Sequence, residues 1–313
     1  MTTVSCVFSS FELPAGGRLS YTILGSSLLG SVQPIVLVQG MSMLKGDWER
    51  LSTPLAEHRP VLLYDHRGMG ESTCPPSTIE DISIETMARD LLQLLIHLGW
   101  KDVAICGWSM GGVIVQQLLV LPFHKTDPSP LPFNVSHVFL ASTRSVVLKT
   151  QHSLQKLNLS PALGNAGQAQ TNPTSRSPAE RRAIAKGILQ TSFDPEWLQM
   201  HEKRFEAIVE RWVSESRPLP VIAKQQRAVS TFDFEDLLSS IPSEIKIVVI
   251  HGELDQIIPF SAGSEISERI KHARFIGQGP EKGQVPSYVF GHHWFEYFDV
   301  QVWVDIIEKV LGK

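Results

Sequence analysis

The stretch "DVAICGWSMGG", residues 102–112, constrains the fold of this chain most. An apolar run that suits a buried strand ends in glycines around a single hydroxyl, that of Ser109, and the helix-like stretch "GGVIVQQLLVL" follows. A sharp turn from a strand into a helix needs small residues around the residue that it exposes. A chain with 22 glycines can meet the pattern G-x-S-x-G by chance. The pattern is informative here because a predicted strand precedes it and a predicted helix follows it. They predict a strained turn that presents Ser109 as a nucleophile.

Short apolar runs rich in Val, Ile and Leu recur along the chain, and such runs are typical of strands buried on both faces of a parallel sheet. The predicted strands cover residues 35–38, 60–64, 103–106, 135–140 and 245–250. Residues 84–98 have helical spacing, with Ser83 as the cap and Gly99 as the stop. The segment "FELPAGGRLSYTIL" predicts an antiparallel hairpin before the sheet. The fold class is therefore α/β, a mainly parallel sheet with helices on both faces.

The composition changes after Ala141, where the chain becomes polar until about Ser177 and then helical, with no strand candidate until Glu244. We predict a helical cap inserted after the sixth strand, which divides the chain into a first core part (1–143), the cap (144–240) and a second core part (241–313). Apolar positions on the cap helices must be buried, and some of them would face the cleft at Ser109. These positions include Ile184, Ile188, Leu189, Trp197, Phe205, Ile208 and Trp212.

A serine hydroxyl is a poor nucleophile until a base removes its proton, so a histidine and an acid that orients it are required. When the serine lies on a strand-to-helix turn, the acid and then the histidine follow it in the chain. Asp255 lies just past a predicted strand in "HGELDQIIP", and His292 follows a glycine in "YVFGHHWFEYF". His293 is a competing base and Glu253 a competing acid, whereas His251 is better explained as a residue that stabilises its turn.

These segments resemble the α/β-hydrolase superfamily, in particular capped serine esterases and lactonases similar to 3-oxoadipate enol-lactonase. The matching segments are "VQGMSMLKGDW", "YDHRGMGES", "GWSMGG", "HGELDQIIP" and "GHHW". The resemblance implies a catalytic triad of three residues, Ser109, Asp255 and His292. They are the serine on the strand-to-helix turn, which is called the nucleophile elbow, the aspartate of H-G-x-x-D and the histidine directly after glycine. It therefore favours His292 over His293. Some relatives carry the acid after the preceding strand, but "FLASTRS" offers none.

The resemblance also implies an oxyanion hole of two backbone N–H groups, from Met110 directly after the nucleophile and from Met41 after the third strand. Directly before the residue that corresponds to Met41, the family has His-Gly, whereas this chain has Gln39-Gly40. Because Met41 would contribute a main-chain group, we expect the hole to survive. The support that the family histidine gives to the loop must then come from Gln39.

Apolar residues flank the predicted site, and a pocket lined by them would take an uncharged acyl or lactone substrate, with water as the acceptor. The candidate pocket residues are Met43, Leu44, Trp108 and Trp294. The leading prediction is a cofactor-independent serine hydrolase of carboxylic esters or lactones that forms an acyl-enzyme. A carbon–carbon bond hydrolase or acyltransferase on the same triad, and a non-catalytic ligand receptor with the same pocket, remain alternatives. Serine rather than aspartate at the elbow disfavours dehalogenase and epoxide hydrolase chemistry.

Composition and motifs argue against several other classes of function and of cellular location. The chain has 28 Lys and Arg against 32 Asp and Glu, a net charge of -4, which disfavours a nucleic-acid partner. Its three cysteines lack metal-ligand spacing and fit a reducing compartment. We expect a cytoplasmic protein, because neither a signal peptide nor a membrane-spanning segment is apparent. The glycines of "DHRGMGES" fit no phosphate-binding fingerprint, and the family resemblance implies that Asp65 and Arg67 tie this turn together.

Overall fold

The computed structural model of the protein describes residues 4–14, 16–75, 82–148 and 177–312. In these ranges eight strands form one sheet. They are β1 (Cys6–Glu12), β2 (Arg18–Leu24), β3 (Ile35–Val38), β4 (Val61–Tyr64), β5 (Asp102–Trp108), β6 (Asn134–Ala141), β7 (Lys246–Ile250) and β8 (Arg274–Phe275). Their order across the sheet is β1-β2-β4-β3-β5-β6-β7-β8.

The sheet is mainly parallel, which confirms the predicted fold class. The β1–β2 and β2–β4 pairs are antiparallel, and the other neighbouring strands are parallel. The predicted hairpin is present, with Cys6 opposite Leu24 and Glu12 opposite Arg18. β8 is absent from the sequence prediction, because two residues are too few to form a recognisable apolar run.

Nine α-helices accompany the strands in the described ranges. They are α1 (Glu49–Leu55), α2 (Ile84–Leu98), α3 (Met110–Val120), α4 (Pro178–Leu189), α5 (Pro195–Met200), α6 (Glu202–Ser214), α7 (Leu219–Thr231), α8 (Ser261–Arg269) and α9 (Val300–Leu311). The predicted ends of α2 are confirmed: the Thr86 backbone N–H donates to Ser83 Oγ at 3.0 Å, and Gly99 ends the helix with a φ of 66°. None of these helices combines the length and the apolar character that crossing a membrane requires.

Alternate residues of the central strands point to opposite faces of the sheet and build two apolar cores. Val36 and Ile105 are fully buried on the face that α2 and α3 cover. Leu37 and Cys106 are fully buried on the face that α1 and α9 cover. Burial on both faces explains why the central strands appear in the sequence as continuous apolar runs.

In the described part of the chain between β6 and β7 lie four helices, α4 to α7. The sequence predicts a helical cap at 144–240, and the described residues of that range, 144–148 and 177–240, contain these helices and no strand. Residues 149–176 of the predicted cap lie outside the described part of the chain. Helix α4 packs on α6, and Leu189, Phe205 and Val209 belong to the same apolar cluster.

The turn after β4 is held by two buried carboxylates, and Asp65 and Arg67 act there as the family resemblance implies. Asp65 accepts hydrogen bonds from the backbone N–H groups of Lys45 at 2.8 Å and Glu71 at 3.2 Å. Arg67 donates from Nε and Nη2 to the two oxygens of Asp90 in α2, at 2.6 and 2.5 Å. Burial raises the pKa of Asp90, and its pairing with Arg67 opposes that shift.

Replacing Arg67 by leucine should destabilise the protein by about 3–5 kcal/mol, because it leaves the buried Asp90 carboxylate without its partner. The double variant Arg67→Leu/Asp90→Leu should recover most of that loss, since no unpaired charge remains buried. Urea unfolding of wild type and both variants measures the difference. A single variant that unfolds with less than about 1 kcal/mol of loss would contradict this account, because that is the range of an exposed pair.

Candidate active site

Ser109 lies in the turn between β5 and α3, with φ 55° and ψ -121°. This backbone conformation is rare for a residue other than glycine, and it persists only where surrounding contacts enforce it. The Ser109 N–H donates to the Ala141 carbonyl at 2.9 Å, and the Ser109 carbonyl accepts from Thr143 Oγ1 at 2.6 Å. The end of β6 therefore holds the strained turn in place.

The glycines around Ser109 are required by space, as the sequence predicts. A Cβ on Gly107 would lie 2.6 Å from the Gly111 carbonyl oxygen, and a Cβ on Gly111 would lie 2.0 Å from the carbonyl oxygen of Val38 in β3. A Cβ on Gly112 would lie 2.5 Å from Thr143 Cγ2. Because two of these neighbours are backbone, no rotamer change can make room for a side chain.

Ser109, His292 and Asp255, which are far apart in the sequence, form one hydrogen-bonded series. The Nε2 atom of His292 lies 3.0 Å from Ser109 Oγ. The Nδ1 atom of His292 lies 2.8 Å from Asp255 Oδ2. Because an ionised carboxylate only accepts, Nδ1 carries the proton and Nε2 is free to accept from the serine hydroxyl. This is the geometry of a nucleophile, a base and an orienting acid.

Asp255 is held ionised in a buried site. Its Oδ1 atom accepts from the backbone N–H groups of Ile257 at 2.9 Å and Ile258 at 2.8 Å. Burial alone would raise the pKa of Asp255, but the electrostatic interaction with His292 and hydrogen bonds from His251 and His292 outweigh burial and hold the pKa well below its usual range. His251 Nε2 also lies 3.0 Å from the Ile258 carbonyl oxygen, so this histidine supports the acid loop.

The loop that carries His292 is anchored on both sides. Trp108 Nε1, directly before Ser109, donates to the His292 carbonyl at 2.9 Å. Further along the loop, the Tyr297 hydroxyl donates to Asp194 at the start of α5 at 2.7 Å and accepts from the Asp194 N–H at 3.1 Å. The loop that carries the histidine is therefore bonded to the strand before Ser109 and to the helical segment between β6 and β7.

The competing candidates are not part of this hydrogen-bonded series, although His293 also lines the cavity beside Ser109. His293 is buried, with its ring stacked on Phe193 and edge-on to Trp108. Burial, and next the electrostatic interaction with His292, hold the pKa of His293 well below its usual value. Glu253 is exposed. The hydrogen-bonded series therefore contains His292 and Asp255 and neither competitor.

The two backbone donors predicted for an oxyanion hole flank Ser109. Met110 is the first residue of α3, and the first N–H groups of a helix have no partner within it. Met41 follows Gly40, where a Cβ would lie 3.2 Å from Ser109 Cβ and 3.7 Å from Ser109 Oγ. Neither N–H donates to another backbone group in the described part of the chain. Both are therefore available to an oxygen atom bound beside the serine.

Gln39 supports the loop before Met41, and a second residue that sequence reasoning missed assists it. Gln39 Nε2 donates to the carbonyl of Tyr64 in β4 at 2.5 Å. His66 Nε2 donates to the Gln39 carbonyl at 3.1 Å. Burial lowers the pKa of His66 to about 4, so this histidine is neutral near pH 7. The expected family histidine is thus replaced by two residues that join the ends of β3 and β4.

A cavity lies at Ser109 and His292, and its wall is mostly apolar. The apolar lining residues are Met41, Met43, Trp108, Ile188, Leu189, Trp212, Leu219, Ile222 and Ile257. Five of them belong to α4, α6 and α7. Among the described residues, no Asp, Glu, Lys or Arg lines the cavity.

Two of the four predicted pocket residues, Met43 and Trp108, line this cavity, and the other two do not. Leu44 lies in the apolar core on the α2 and α3 face. Trp294 is fully buried and packs edge-on against Trp48 and Trp303. Leu44 has an extended backbone, in which successive side chains point to opposite sides, and Trp294 begins a short 3-10 helix that turns it away from His292. Proximity in the sequence to Met43 and His292 was therefore misleading for these two.

Comparisons with known proteins agree with this architecture. Residues 33–278 match the family model described as alpha/beta hydrolase fold. The chain is 26% identical over 264 residues to a putative non-heme chloroperoxidase from Synechocystis, covering 80% of this chain and 86% of that protein. It is 28% identical over 142 residues to a soluble epoxide hydrolase from Corynebacterium, covering 40% of this chain and only 47% of that relative.

A solved structure shares the fold over almost the full length. The enol-lactonase from Burkholderia xenovorans aligns with a TM-score of 0.72 at 20% sequence identity. The alignment covers 97% of this chain and 100% of the lactonase. At this identity the likeness concerns the arrangement of strands and helices.

Replacing Gly111 by alanine should destabilise the protein by about 1–3 kcal/mol or more, because the new Cβ overlaps the Val38 carbonyl. Gly187 in α4 is the matched control, since a Cβ there meets nothing within 4 Å. Gly187→Ala should be neutral or stabilise by up to about 1 kcal/mol. Thermal and urea unfolding compare the two variants, and equal stability would refute the close approach at the elbow.

Proposed function

The chain belongs to the α/β-hydrolase fold family, and on that premise we propose that it is a serine hydrolase of uncharged carboxylic esters or lactones. The observation that carries the proposal is the series Ser109–His292–Asp255 at the wall of an apolar cavity. The series has a nucleophile and a base within hydrogen-bonding distance and an acid that orients the base.

In the proposed reaction, Ser109 Oγ attacks the substrate carbonyl while His292 Nε2 takes its proton. Asp255 keeps the proton of the neutral imidazole on Nδ1 and stabilises the imidazolium that forms. The imidazolium then protonates the leaving alkoxide, and an acyl-enzyme ester on Ser109 remains. Water attacks this ester with His292 again as the base, which releases the acid and restores the serine.

The negative oxygen of each tetrahedral intermediate is assigned to the Met41 and Met110 N–H groups. Donors that are already oriented in a site with little water stabilise developing charge strongly. The close approach of Gly40 to Ser109 supports this assignment, because it places Met41 beside the attacking atom. The backbone contribution of Met41 also explains how a chain with Gln39 in place of the family histidine can retain the hole.

The cavity wall favours an uncharged substrate with an apolar acyl group, since a buried ionic group would find no partner there. A lactone fits the same requirement, and the Burkholderia neighbour is named as an enol-lactonase. We assign residues 144–240 as a cap that supplies part of the acyl site, supported by Ile188, Trp212 and Ile222 at the cavity. A cytoplasmic location belongs to the proposal, supported by three cysteines that form no disulfide.

A fluorophosphonate should label Ser109 alone, because only a hydroxyl beside a base and an oxyanion hole reacts quickly. Intact-mass measurement should show one adduct on wild type and none on Ser109→Ala. Turnover of a short activated ester should fall by orders of magnitude in the variant, as it does by about a millionfold for the equivalent loss in subtilisin. Equal labelling of both proteins would overturn the proposal.

The two adjacent histidines provide a matched control in the same assay. His292→Ala should abolish labelling and turnover, while His293→Ala should retain much of both. The reverse result would move the base by one residue.

Product analysis on esters, lactones and substrates with a cleavable carbon–carbon bond separates ester hydrolysis from the alternative chemistry on this triad. Labelling of Ser109 without turnover of any of these substrates would favour a non-catalytic receptor.

Enlarging the cavity at Trp212 should shift the preference towards longer acyl chains. Trp212→Leu should raise the ratio of kcat/KM for a hexanoate over an acetate ester about tenfold or more, since each methylene in an apolar pocket is worth about 1–3 kcal/mol. Trp197→Leu is the control, because Trp197 is buried on the same helical segment but does not line the cavity. An unchanged ratio in the Trp212 variant would leave it without a role in the acyl site.

A further inference from the structure

Ser42, directly after the proposed oxyanion donor Met41, has a strained backbone. Its φ is 65°, in the left-handed region that side-chain-bearing residues rarely adopt. Ser42 is buried and lines the cavity. Such a conformation persists only where neighbouring groups determine it, so the contacts of Ser42 determine the path of the backbone directly after Met41.

Both backbone groups of Ser42 are held by side chains from the helical segment between β6 and β7. The Ser42 N–H donates to Oε1 of Gln225 in α7 at 3.0 Å. The Ser42 carbonyl accepts from Nη1 of Arg217, just before α7, at 2.8 Å. Gln225 is fully buried and Arg217 is 8% exposed, so water does not compete for these bonds.

Arg217 is itself fixed by the same loop. Its Nη1 and Nη2 donate to the two oxygens of Asp47 at 2.8 and 3.0 Å. Asp47 Oδ2 in turn accepts from the Leu44 N–H at 2.7 Å. The guanidinium lies 5.3 Å from the ring centre of the cavity residue Trp212. The loop from Gly40 to Asp47 is therefore held at its middle and at its end by one arginine.

The loop makes few such contacts within itself near the donor. The Met43 N–H reaches the Gly40 carbonyl at 3.4 Å, which is long for a hydrogen bond. Without Gln225 and Arg217, the strained Ser42 would have no buried partner for either backbone group in the described part of the chain. The peptide plane that carries the Met41 N–H joins Gly40 to Met41 and shares the Met41 Cα with the plane that carries the Ser42 N–H. Movement of the Ser42 backbone would therefore reach the donor through the Met41 dihedrals.

We propose that Gln225 and Arg217 are positioning residues that aim the Met41 N–H at the oxyanion. The inference rests on the proposed function, and it gives the helical segment a second role beside shaping the acyl site. The oxyanion hole is complete only when α7 is docked on the loop, so substrate selection and transition-state stabilisation depend on the same contact.

Gln225 is the residue to test, because removing Arg217 would leave the buried Asp47 carboxylate unpaired and disturb folding. Gln225→Met keeps the shape and removes the acceptor for the Ser42 N–H, whereas Gln225→Glu keeps an acceptor oxygen. Gln226→Met is the matched control on the same helix, since the Gln226 side chain makes no hydrogen bond in the described part of the chain. Gln225→Asn withdraws the same oxygen by one methylene and carries the test if the methionine variant does not fold.

The measurements are kcat and KM for p-nitrophenyl acetate and the second-order rate of labelling by a fluorophosphonate. Misplacing an oxyanion donor should lower kcat and the labelling rate of Gln225→Met about 10- to 100-fold, with KM within about twofold, since loss of a donor outright costs about 10²- to 10³-fold. Gln225→Glu should recover most of the rate, and Gln226→Met should match wild type. The thermal unfolding midpoint of each variant is measured alongside its kinetics.

A loss of thermal stability in Gln225→Met with wild-type kcat would mean a purely structural role and would overturn the inference. A raised KM with unchanged kcat would assign Gln225 to substrate binding and would overturn it as well. Failure of the proposed function is distinguishable, because wild type itself would then show neither turnover nor labelling at Ser109. An active wild type with an unaffected Gln225 variant defeats the positioning role alone.

Discussion

The close approach of three backbone segments at Ser109 is the constraint on which the rest of the site depends. Gly111 lies against the carbonyl of Val38 at the end of β3, and Gly112 lies against Thr143 just past β6. The elbow can therefore form only where the ends of β3, β5 and β6 converge. A parallel sheet provides such a point, because the carboxyl ends of its strands meet at one edge, where ligands bind in open α/β sheets.

The helices between β6 and β7 contact both sides of this edge. Gln225 and Arg217 hold the loop that follows β3, while Asp194 holds Tyr297 beside the His292 loop. Arg204 of α6 adds a two-bond ion pair to the buried Glu296 on that loop, at 2.9 and 2.7 Å. The packing that encloses the apolar cavity thus also sets the positions of the groups proposed to react.

The elements that the sequence predicts well are those whose local pattern has one physical explanation. The central strands are buried on both faces, so their apolar runs reveal them, and the caps of α2 are local hydrogen-bonding and φ requirements at Ser83 and Gly99. The family resemblance, together with the chain order of serine, acid and histidine, predicts that Ser109, Asp255 and His292 come together, as the structure shows, while their catalytic role stays a prediction. β8 has no such local pattern, and its two residues are stabilised by pairing with β7.

By itself the sequence determined the fold class, because apolar runs and glycine spacing are local properties of the chain, and its resemblance to a known family singled out the three residues that form the hydrogen-bonded series. Only the tertiary structure decided which apolar residues face the cavity. It excluded Leu44 and Trp294 and brought in Leu219 and Ile222 from a helix more than a hundred residues past the elbow. It also decided the partners of Ser42 and Gln39. A side chain's direction and its hydrogen-bond partner depend on how distant elements pack, and no local pattern encodes that.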